Sequence, residues 1–341
     1  MARLPLVSPV ERALFLRAQP YLSRLTSPVL TALASYTEER VYRPGAQIRV
    51  EGQRVERILF LGSGVVEIGG PPHVASRPMQ IEAPGAVGLA HHFAGRAAAP
   101  LVRATAESLC LEISVRDLDQ ILEDHFPMVH QVAITSCEQA VISIKALGRH
   151  RPDEEGFAGK EGCQETPASL DLVQRLAWAK RAPFFRETNL TLLASLTGAE
   201  PARHLRAGET LWKQGDPIDG MVLVLDGQLH AEGEFGSPAA GPGAVIGAWE
   251  LMIPGVRFET WVADLPARVI RIPRDLFIDF LEDHFEFALS YLGAVSRKLT
   301  EAWDALSLLD ERNAVHRFES PHGRAFESPH GRIFESPHGS A

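Results

Sequence analysis

The feature that most constrains this chain of 341 residues is an internal repeat with an offset near 160 residues. Gly45, Gly52 and Gly64 each recur 163 positions later, and the pentapeptide LEDHF that begins at Leu122 returns unchanged at Leu281. Because the repeated unit has the length of an ordinary domain, the sequence predicts two tandem domains of one fold.

Within each half, the local pattern is typical of short antiparallel strands. Apolar runs such as residues 58–61 and 221–225 are rich in Val, Ile, Leu and Phe and are bounded by Gly, Pro or Asp. This pattern predicts a small β-barrel in each half. Ser63-Gly64 and Asp226-Gly227 lie between apolar runs and predict hairpin turns, because glycine adopts a positive φ at little cost.

Helical patterns flank both strand regions. Apolar residues recur at helical spacing over Asp117–Leu147 and Asp275–Leu309, and shorter patterns precede the strands over Glu11–Ala34 and Leu170–Leu196. The predicted organisation is therefore a first domain at 1–148, a polar linker at 149–169, a second domain at 170–312 and a tail at 313–341.

The tail contains three copies of FESPHG at a period of eight residues, followed by Arg in the first two copies and by Ser in the third. Proline and glycine in every copy prevent a continuous helix or sheet, so the tail is predicted to be disordered. It is either a multivalent docking peptide or the product of an expanded DNA repeat.

Composition narrows the class of protein. Three cysteines, Cys110, Cys137 and Cys163, without a CxxC pair favour a reducing compartment and predict neither a disulfide framework nor a zinc site. No run of about 18 apolar residues and no signal peptide is present, so a cytoplasmic location without membrane contact is expected. The net charge of −9 disfavours nucleic acid as a partner. The chain has no P-loop, HExxH or GxSxG motif, and we expect no enzyme activity.

The order of these signals resembles a known family. Helices are followed by the Pro44-Gly45 turn, the Glu51-Gly52 turn, the segment FLGSGVVEI, the Pro84-Gly85 loop and then long helices. This order is similar to that of the cyclic-nucleotide-binding domain of the catabolite activator protein, protein kinase A regulatory subunits and gated ion channels. The resemblance implies a mainly β fold with flanking helices, as two tandem jelly-roll (double-stranded β-helix) domains.

In that family a loop between two strands holds the nucleotide. Backbone N–H groups hold the cyclic phosphate, a Glu after a glycine accepts the ribose 2′-OH, and an Arg ten residues after that glycine pairs with the phosphate. The second half keeps Gly247, Arg257 and Thr260 but has Ala248 at the position of the ribose Glu. Glu250 lies two residues too late and is expected to point elsewhere. The resemblance thus implies a weakened site for cyclic AMP or cyclic GMP in the second domain.

The corresponding loop of the first half departs further from the family pattern. Gly88 is kept, but Leu89 stands where the Glu belongs and Ala98 where the Arg belongs. Arg96 lies two positions early and is not a clean substitute. Losing both partners is expected to abolish binding, since each charge-assisted hydrogen bond contributes roughly 1.5–3 kcal/mol.

Several other residues carry structural expectations. His91 and His92 diverge by about 100° on a helix, so they are expected to face solvent rather than share a metal ion. His125 and His284, within the LEDHF repeats, are expected to cap or pack, and Cys137 to be a buried small apolar residue.

The last helix carries an apolar stripe formed by Leu299, Trp303, Leu306 and Leu309. The stripe is explained either by a homodimer through this helix or by packing on the helix's own barrel.

The leading hypothesis is a non-enzymatic regulatory protein that acts through a protein partner, requires no cofactor and binds nucleotides weakly at the second domain. The alternative is a genuine cyclic AMP or cyclic GMP receptor that controls a partner protein. A transcription regulator of the catabolite activator type is disfavoured, because only a short, repetitive segment follows the last helix instead of a helix-turn-helix.

Overall fold

The computed structural model describes residues 8–69, 78–96, 99–150, 153, 171–186, 188–233 and 235–309. The helices are α1 (Pro9–Arg17), α2 (Ser27–Ser35), α3 (Leu89–Phe93), α4 (Val115–Asp124), α5 (Phe126–Leu147), α6 (Leu172–Arg181), α7 (Leu190–Gly198), α8 (Arg274–Asp283) and α9 (Phe285–Leu309). The strands are β1 (Glu38–Tyr42), β2 (Gln47–Arg49), β3 (Arg57–Ser63), β4 (Val65–Ile68), β5 (Met79–Glu82), β6 (Gly85–Val87), β7 (Val102–Ala104), β8 (Ser108–Ser114), β9 (Arg203–Leu205), β10 (Thr210–Trp212), β11 (Gly220–Glu232), β12 (Ala239–Ala240), β13 (Val245–Ile246) and β14 (Thr260–Pro273).

Strands β1–β8, which we call the first roll, form two four-stranded antiparallel sheets in the orders β1-β8-β3-β6 and β2-β7-β4-β5. The two sheets share an apolar core because one face of each strand points inward; Leu59 and Cys110 of one sheet meet Val66 and Val102 of the other. The predicted fold class, mainly β and jelly-roll-like with flanking helices, is confirmed.

Strands β9–β14, the second roll, form one six-stranded sheet in the order β10-β14-β11-β12, with β13 on β11 and β9 on β14. The long strands β11 and β14 pair antiparallel along most of their length, with register shifts near Asp226. Apolar side chains on the inner face, among them Val224, Leu229 and Val269, form its core.

The predicted hairpin turns at Gly64 and Gly227 were wrong. Gly64 joins two strands of different sheets, and Gly227 lies inside the continuous strand β11. Both have a positive φ, +93° and +82°, and the main chain of a neighbouring strand passes so close that a Cβ would collide with it. Gly64 therefore lies where the chain passes from one sheet to the other, and Gly227 lies at a bend within β11. Both are corners rather than hairpins.

Each long helical pattern is interrupted at the histidine of the LEDHF repeat. His125 separates α4 from α5 and His284 separates α8 from α9, both with φ near −135° (−136° and −134°). The carbonyl of His284 accepts the N–H groups of Phe287 and Ala288, so this residue opens α9 as a cap. The carbonyl of His125 likewise accepts the N–H of Met128, so both histidines, which were expected to cap or pack, cap through the main chain, and the side chain of His125 makes no cap hydrogen bond.

The last helix packs on the opposite half of the chain. α9 lies against α5 and α3, where the Trp303 ring lies 6.0 Å from that of His91 and Asp304 pairs with Arg96 at 2.7 Å. The stripe on α9 thus contacts the first half, which is a third possibility beside the two expected ones. A homodimer through this helix stays a prediction.

The predicted domain boundaries also stay predictions. Most of the linker at 149–169, including Cys163, lies outside the described residues, and so does the tail at 313–341. Within the described ranges, no helix is both long enough and apolar enough to cross a lipid bilayer.

Candidate ligand site

The loop between β13 and β14, residues 247–259, begins at a glycine that the local geometry requires. Gly247 has φ +85°, and a Cβ there would lie 2.6 Å from Nη1 of Arg257 and 3.2 Å from the Trp212 ring. Only glycine lets a guanidinium approach the main chain this closely. The loop therefore presents Arg257 toward its own first residue.

Arg257 is the largest fully buried side chain among the described residues, with 1% of its surface exposed. Its Nη1 donates to Oε2 of Glu250 at 2.9 Å, and its Nη2 donates to the carbonyl of Gly220. The guanidinium carbon lies 3.8 Å from the centre of the Trp212 ring, within range of a cation–π contact. A guanidinium can be buried this deeply only because a carboxylate compensates its charge.

Glu250 is the carboxylate that does so, and the expectation that it points away from the ribose position stays a prediction. Its side chain is buried, and its second oxygen accepts the N–H of Phe258 at 3.2 Å. A comparison with the family motif considers Glu250 only as a candidate for the ribose-binding Glu, and Glu250 lies two residues after that position. A carboxylate within an apolar loop needs a counter-ion, and Arg257 is the cation of the same loop. That argument could have found the pair from sequence.

The other second-loop residues have structural partners. Ala248 is buried and has no side-chain acceptor for a ribose hydroxyl; its carbonyl accepts the hydroxyl of Tyr291 at 2.9 Å. The Thr260 hydroxyl accepts the N–H of Gln214 at 2.9 Å, which fixes the start of β14 to the loop after β10.

A cavity of about 300 Å³ lies beside Arg257 and Trp212. Its charged lining consists of Arg203, Arg257, Arg271, Glu200, Asp216 and Asp219. The arginines all have carboxylate partners: Arg203 pairs with Glu209, Arg257 with Glu250, and Arg271 with Glu200 and Asp219. The volume of the cavity is at the lower end of the range for small-molecule pockets. The positive charges of its arginines are compensated by these carboxylates.

The first roll has a different arrangement around Gly88, which has φ +103° and precedes α3. Leu89 is buried, and Arg96 turns toward α9 to pair with Asp304. Ala98 lies outside the described residues. Neither Leu89 nor Arg96 can therefore replace the missing family residues.

Arg49, which the motif comparison missed, lies beside the Gly88 loop. Arg49 ends β2 with 8% of its surface exposed, and its Nη2 is 3.2 Å from where a Cβ on Gly88 would be. It donates to the carbonyl of Arg57 at 2.9 Å, and burial lowers its pKa. The internal repeat indicates the place of this arginine. Arg49 lies 163 positions before Trp212, so it corresponds in the repeat to the residue that stacks on Arg257.

The adjacent histidines do not form the expected solvent-facing pair. His91 is buried against Trp303, and its pKa falls to about 4 through burial and then through the charges of Arg96 and Arg49. Nε2 of His92 lies 2.8 Å from Oδ1 of Asp119. In the part of the chain that the structure describes, no group of three or more metal-binding side chains converges.

A comparison with family models matches residues 202–284, from just before β9 to the end of α8, to the cyclic nucleotide-binding domain. The chain contains one cyclic nucleotide-binding domain there. The matched segment lies in the second half, so the second tandem copy rests on the sequence repeat. The Gly247 loop and Arg257 lie inside the matched segment. No curated protein matches the chain in sequence.

Three solved structures are similar over part or most of the chain. The regulatory domain of Toxoplasma gondii protein kinase A with cyclic AMP is 14% identical, over 85% of this chain and 95% of that chain, with a TM-score of 0.32. A cyclic nucleotide-binding-like protein from Brucella abortus is 28% identical over 32% of this chain and 97% of that chain, with a TM-score of 0.28. The N-terminal domain of a Streptomyces coelicolor transcriptional regulator is 27% identical over 38% of this chain and 93% of that chain, with a TM-score of 0.33.

Proposed function

We propose that this chain is a non-enzymatic regulatory protein of the cytoplasm that acts through protein contacts, and that its cyclic nucleotide-binding domain holds nucleotides only weakly. The observation that carries the proposal is the buried pair of Arg257 with Glu250. The group that would bind the cyclic phosphate is already bound by a carboxylate of the same loop.

Two features of the second loop weaken nucleotide binding: a competing carboxylate and a missing hydrogen-bond acceptor. A phosphate must displace a carboxylate that is tethered only seven residues away and is therefore present at high effective concentration. Ala248 supplies no acceptor for the ribose hydroxyl, and such a charge-assisted bond contributes roughly 1.5–3 kcal/mol, or about ten- to a hundredfold in affinity.

Exposed apolar side chains support a protein partner. Leu172 and Val173 at the start of α6 are 50% and 73% exposed, and Leu190 at the start of α7 is 57% exposed. The helices α6 and α7 pack together, and Cδ1 of Leu172 lies beside Gly198 at the end of α7, so Leu172 and Val173 lie at the opposite end of α7 from Leu190. Adjacent large apolar residues at a surface, such as Leu172 and Val173, are typical of protein contact sites.

Calorimetry with cyclic AMP and cyclic GMP tests the nucleotide part of the proposal. We expect no submicromolar binding by the unaltered chain. Glu250→Gln keeps the side-chain volume but removes the competing charge, and we expect it to tighten binding at least about tenfold. Glu232→Gln, which changes an exposed carboxylate of β11, is the matched control and should change nothing. Submicromolar binding by the unaltered chain, or equal affinity in Glu250→Gln, contradicts the proposal.

A genuine cyclic-nucleotide receptor remains a second candidate because the cavity of about 300 Å³ opens directly beside Arg257. In that case Arg257→Ala abolishes nucleotide binding and, together with it, the response of the partner. The two candidates therefore differ in the affinity of the unaltered chain.

A further inference from the structure

We infer that the cavity of about 300 Å³ in the second roll binds a small organic ammonium ion with a flat apolar body. The inference goes beyond the proposed function, because it concerns a cation instead of a nucleotide and rests mainly on residues outside the loop 247–259. Three features carry it: the apolar floor of the cavity, the charges at its mouth and one buried donor.

The cavity lies to one side of the Gly247 loop. Among the described residues of that loop, only Arg257 is part of the lining, whereas Ala248 and Glu250 are not. The rest of the lining comes from residues at and just before β9, from β10, from the connection between β10 and β11, and from β11 and β14. A ligand in this cavity therefore contacts residues that the family motif does not include.

The floor of the cavity is apolar. Val222 and Val269 belong to the core of the second roll, and Leu211 and Trp212 pack against that core. Trp212 is only partly buried, so part of its ring is available to a ligand. A flat apolar group gains from burial against such side chains, and an aromatic ring gains further from contact with an indole.

Negative charges are in excess at the mouth of the cavity. Asp216 and Asp219, both in the connection between β10 and β11, are part of the lining. Every lining arginine already has a carboxylate partner other than these two: Arg203 pairs with Glu209, Arg257 with Glu250 and Arg271 with Glu200. Asp216 and Asp219 therefore remain as surplus charges, which attract a cation and repel an anion.

The two aspartates are exposed at the mouth. The side chain of Asp219 is 64% exposed, and it shares Arg271 with another carboxylate. Oδ2 of Asp216 accepts the N–H of Lys213 at 2.8 Å, and Asp216 forms no ion pair in the part of the chain that the structure describes. The carbonyl of Asp216 accepts the N–H of Arg257 at 2.8 Å, which fixes the mouth of the cavity to the loop. An ammonium group there compensates charges that the arginines leave uncompensated.

Arg257 contributes a donor that lacks an acceptor. Its side chain is buried, and its Nε has no hydrogen-bond partner among the described residues, although Nη1 and Nη2 have theirs. Because Glu250 already compensates the charge of the guanidinium, a neutral oxygen is sufficient as the acceptor. These conditions narrow the ligand class to amines whose flat body also carries a hydroxyl or carbonyl oxygen.

Three probes with the same body and different charges test the inference by calorimetric titration of the full chain. Tyramine carries an ammonium group on a para-hydroxyphenyl body, tyrosol carries a hydroxyl in its place, and para-hydroxyphenylpropionate carries a carboxylate. We expect tyramine to bind at least about fivefold more tightly than tyrosol, and the propionate to bind most weakly. Raising the salt concentration should reduce the advantage of tyramine, because the carboxylates at the mouth are exposed.

The double variant Asp216→Asn/Asp219→Asn locates the site. It should weaken tyramine binding at least about fivefold and leave tyrosol binding unchanged, which shows that the cavity is intact. The double variant Glu232→Gln/Asp264→Asn is the matched control. It removes two carboxylates of the same roll that lie beside His230 and are not part of the lining, and it should leave tyramine binding unchanged.

The probes and variants also define the results that overturn the inference. Tyramine might be expected to fail in one of four ways: no saturation below roughly 10 mM, binding no tighter than that of tyrosol or the propionate, equal affinity in the aspartate double variant, or equal losses in that variant and its control. A loss of tyrosol binding as large as that of tyramine in the aspartate double variant overturns it as well. None of these results affects the titration of Glu250→Gln with cyclic AMP, so the inference fails independently of the proposed function.

Discussion

At the scale of single residues, the proposed weak nucleotide binding depends on the pair of Arg257 and Glu250. Both side chains are nearly fully buried, and the nearest further carboxylate, Oδ1 of Asp219, lies 3.6 Å from Nη2 of Arg257 on a largely exposed side chain. A buried ion pair need not stabilise a fold, but removal of one partner leaves an uncompensated buried charge.

The pair therefore makes a stability prediction. Glu250→Ala should lower the free energy of unfolding by about 3 kcal/mol, because Arg257 then keeps the carbonyl of Gly220, the Trp212 ring and the largely exposed carboxylate of Asp219, but no buried counter-charge. The double variant Glu250→Leu/Arg257→Met should recover most of that loss. Urea denaturation measures both changes, and a Glu250→Ala chain as stable as the unaltered one contradicts the assignment.

The burial of His91 predicts how the stability of the chain depends on pH. Burial, followed by the charges of Arg96 and Arg49, lowers its pKa from 6.5 to about 4, so the unfolded chain binds a proton more readily than the folded one. The contribution of His91 to stability is complete above pH 6.5 and is lost as the pH falls toward 4. Between pH 7 and pH 5 the unaltered chain should lose about 2 kcal/mol from this residue.

Urea denaturation at the two pH values checks this dependence. His91→Gln should lose that much less stability on acidification, whereas His204→Gln, at an exposed histidine of β9, should behave like the unaltered chain. An unchanged pH dependence in His91→Gln would show that His91 is not buried in its neutral form.

At the scale of elements, glycine corners direct the strands. Gly227 turns β11 where the carbonyl of Pro266 and the Cα of Ala267 leave no room for a side chain. Gly208 has nearly the same φ, +80° against +82°, but nothing lies within 4 Å of its Cβ position. The two positions separate the cost of a left-handed backbone from the cost of a steric clash.

Gly208→Ala should destabilise the chain by about 1 kcal/mol, the cost of a left-handed alanine. Gly227→Ala adds a clash with the neighbouring strand and should cost at least about 2 kcal/mol more. Thermal denaturation of both variants compares them directly. Equal losses would mean that the strands separate easily at the corner.

Sequence patterns predicted the elements better than their connections. The repeated glycines indicated positive φ correctly, but a glycine between two apolar runs is equally compatible with a hairpin and with a corner, so Gly64 and Gly227 were misassigned. Helical periodicity continued through His125 because Phe126 and Pro127 preserve the apolar face, although Pro127 can only occupy the first turn of α5. The arginine of the second loop was found from its motif. The contact of Glu250 with Arg257 follows from the need for a counter-ion, and the place of Arg49 follows from the repeat offset, but a comparison with the family motif uses neither signal.

At the scale of the whole molecule, each roll has its own core, but a third core contains buried residues of both halves. Tyr291 of α9 donates to the carbonyl of Ala248 in the second loop, and its oxygen lies 3.2 Å from Sγ of Cys137 on α5. All three residues are buried, and burial raises the pKa of the Cys137 thiol to about 12. One hydroxyl thus joins the loop of the second roll to a helix of the first half.

Tyr291→Phe tests this connection with a minimal change of volume. It leaves the carbonyl of Ala248 buried without this donor and should lower the free energy of unfolding by about 1–2 kcal/mol. Tyr36→Phe, at an exposed position after α2, is the control and should change little. If Tyr291→Phe is as stable as the unaltered chain, the hydroxyl does not join the halves.

The central proposal is that the carboxylate of Glu250 binds Arg257, the residue that would otherwise bind the phosphate of a cyclic nucleotide. A crystal structure of the chain grown with millimolar cyclic AMP tests it most directly. We predict that Nη1 of Arg257 still contacts the Glu250 carboxylate and that no nucleotide lies beside Trp212 in the second roll. A nucleotide whose phosphate lies on Arg257, with Glu250 turned away, would contradict the claim.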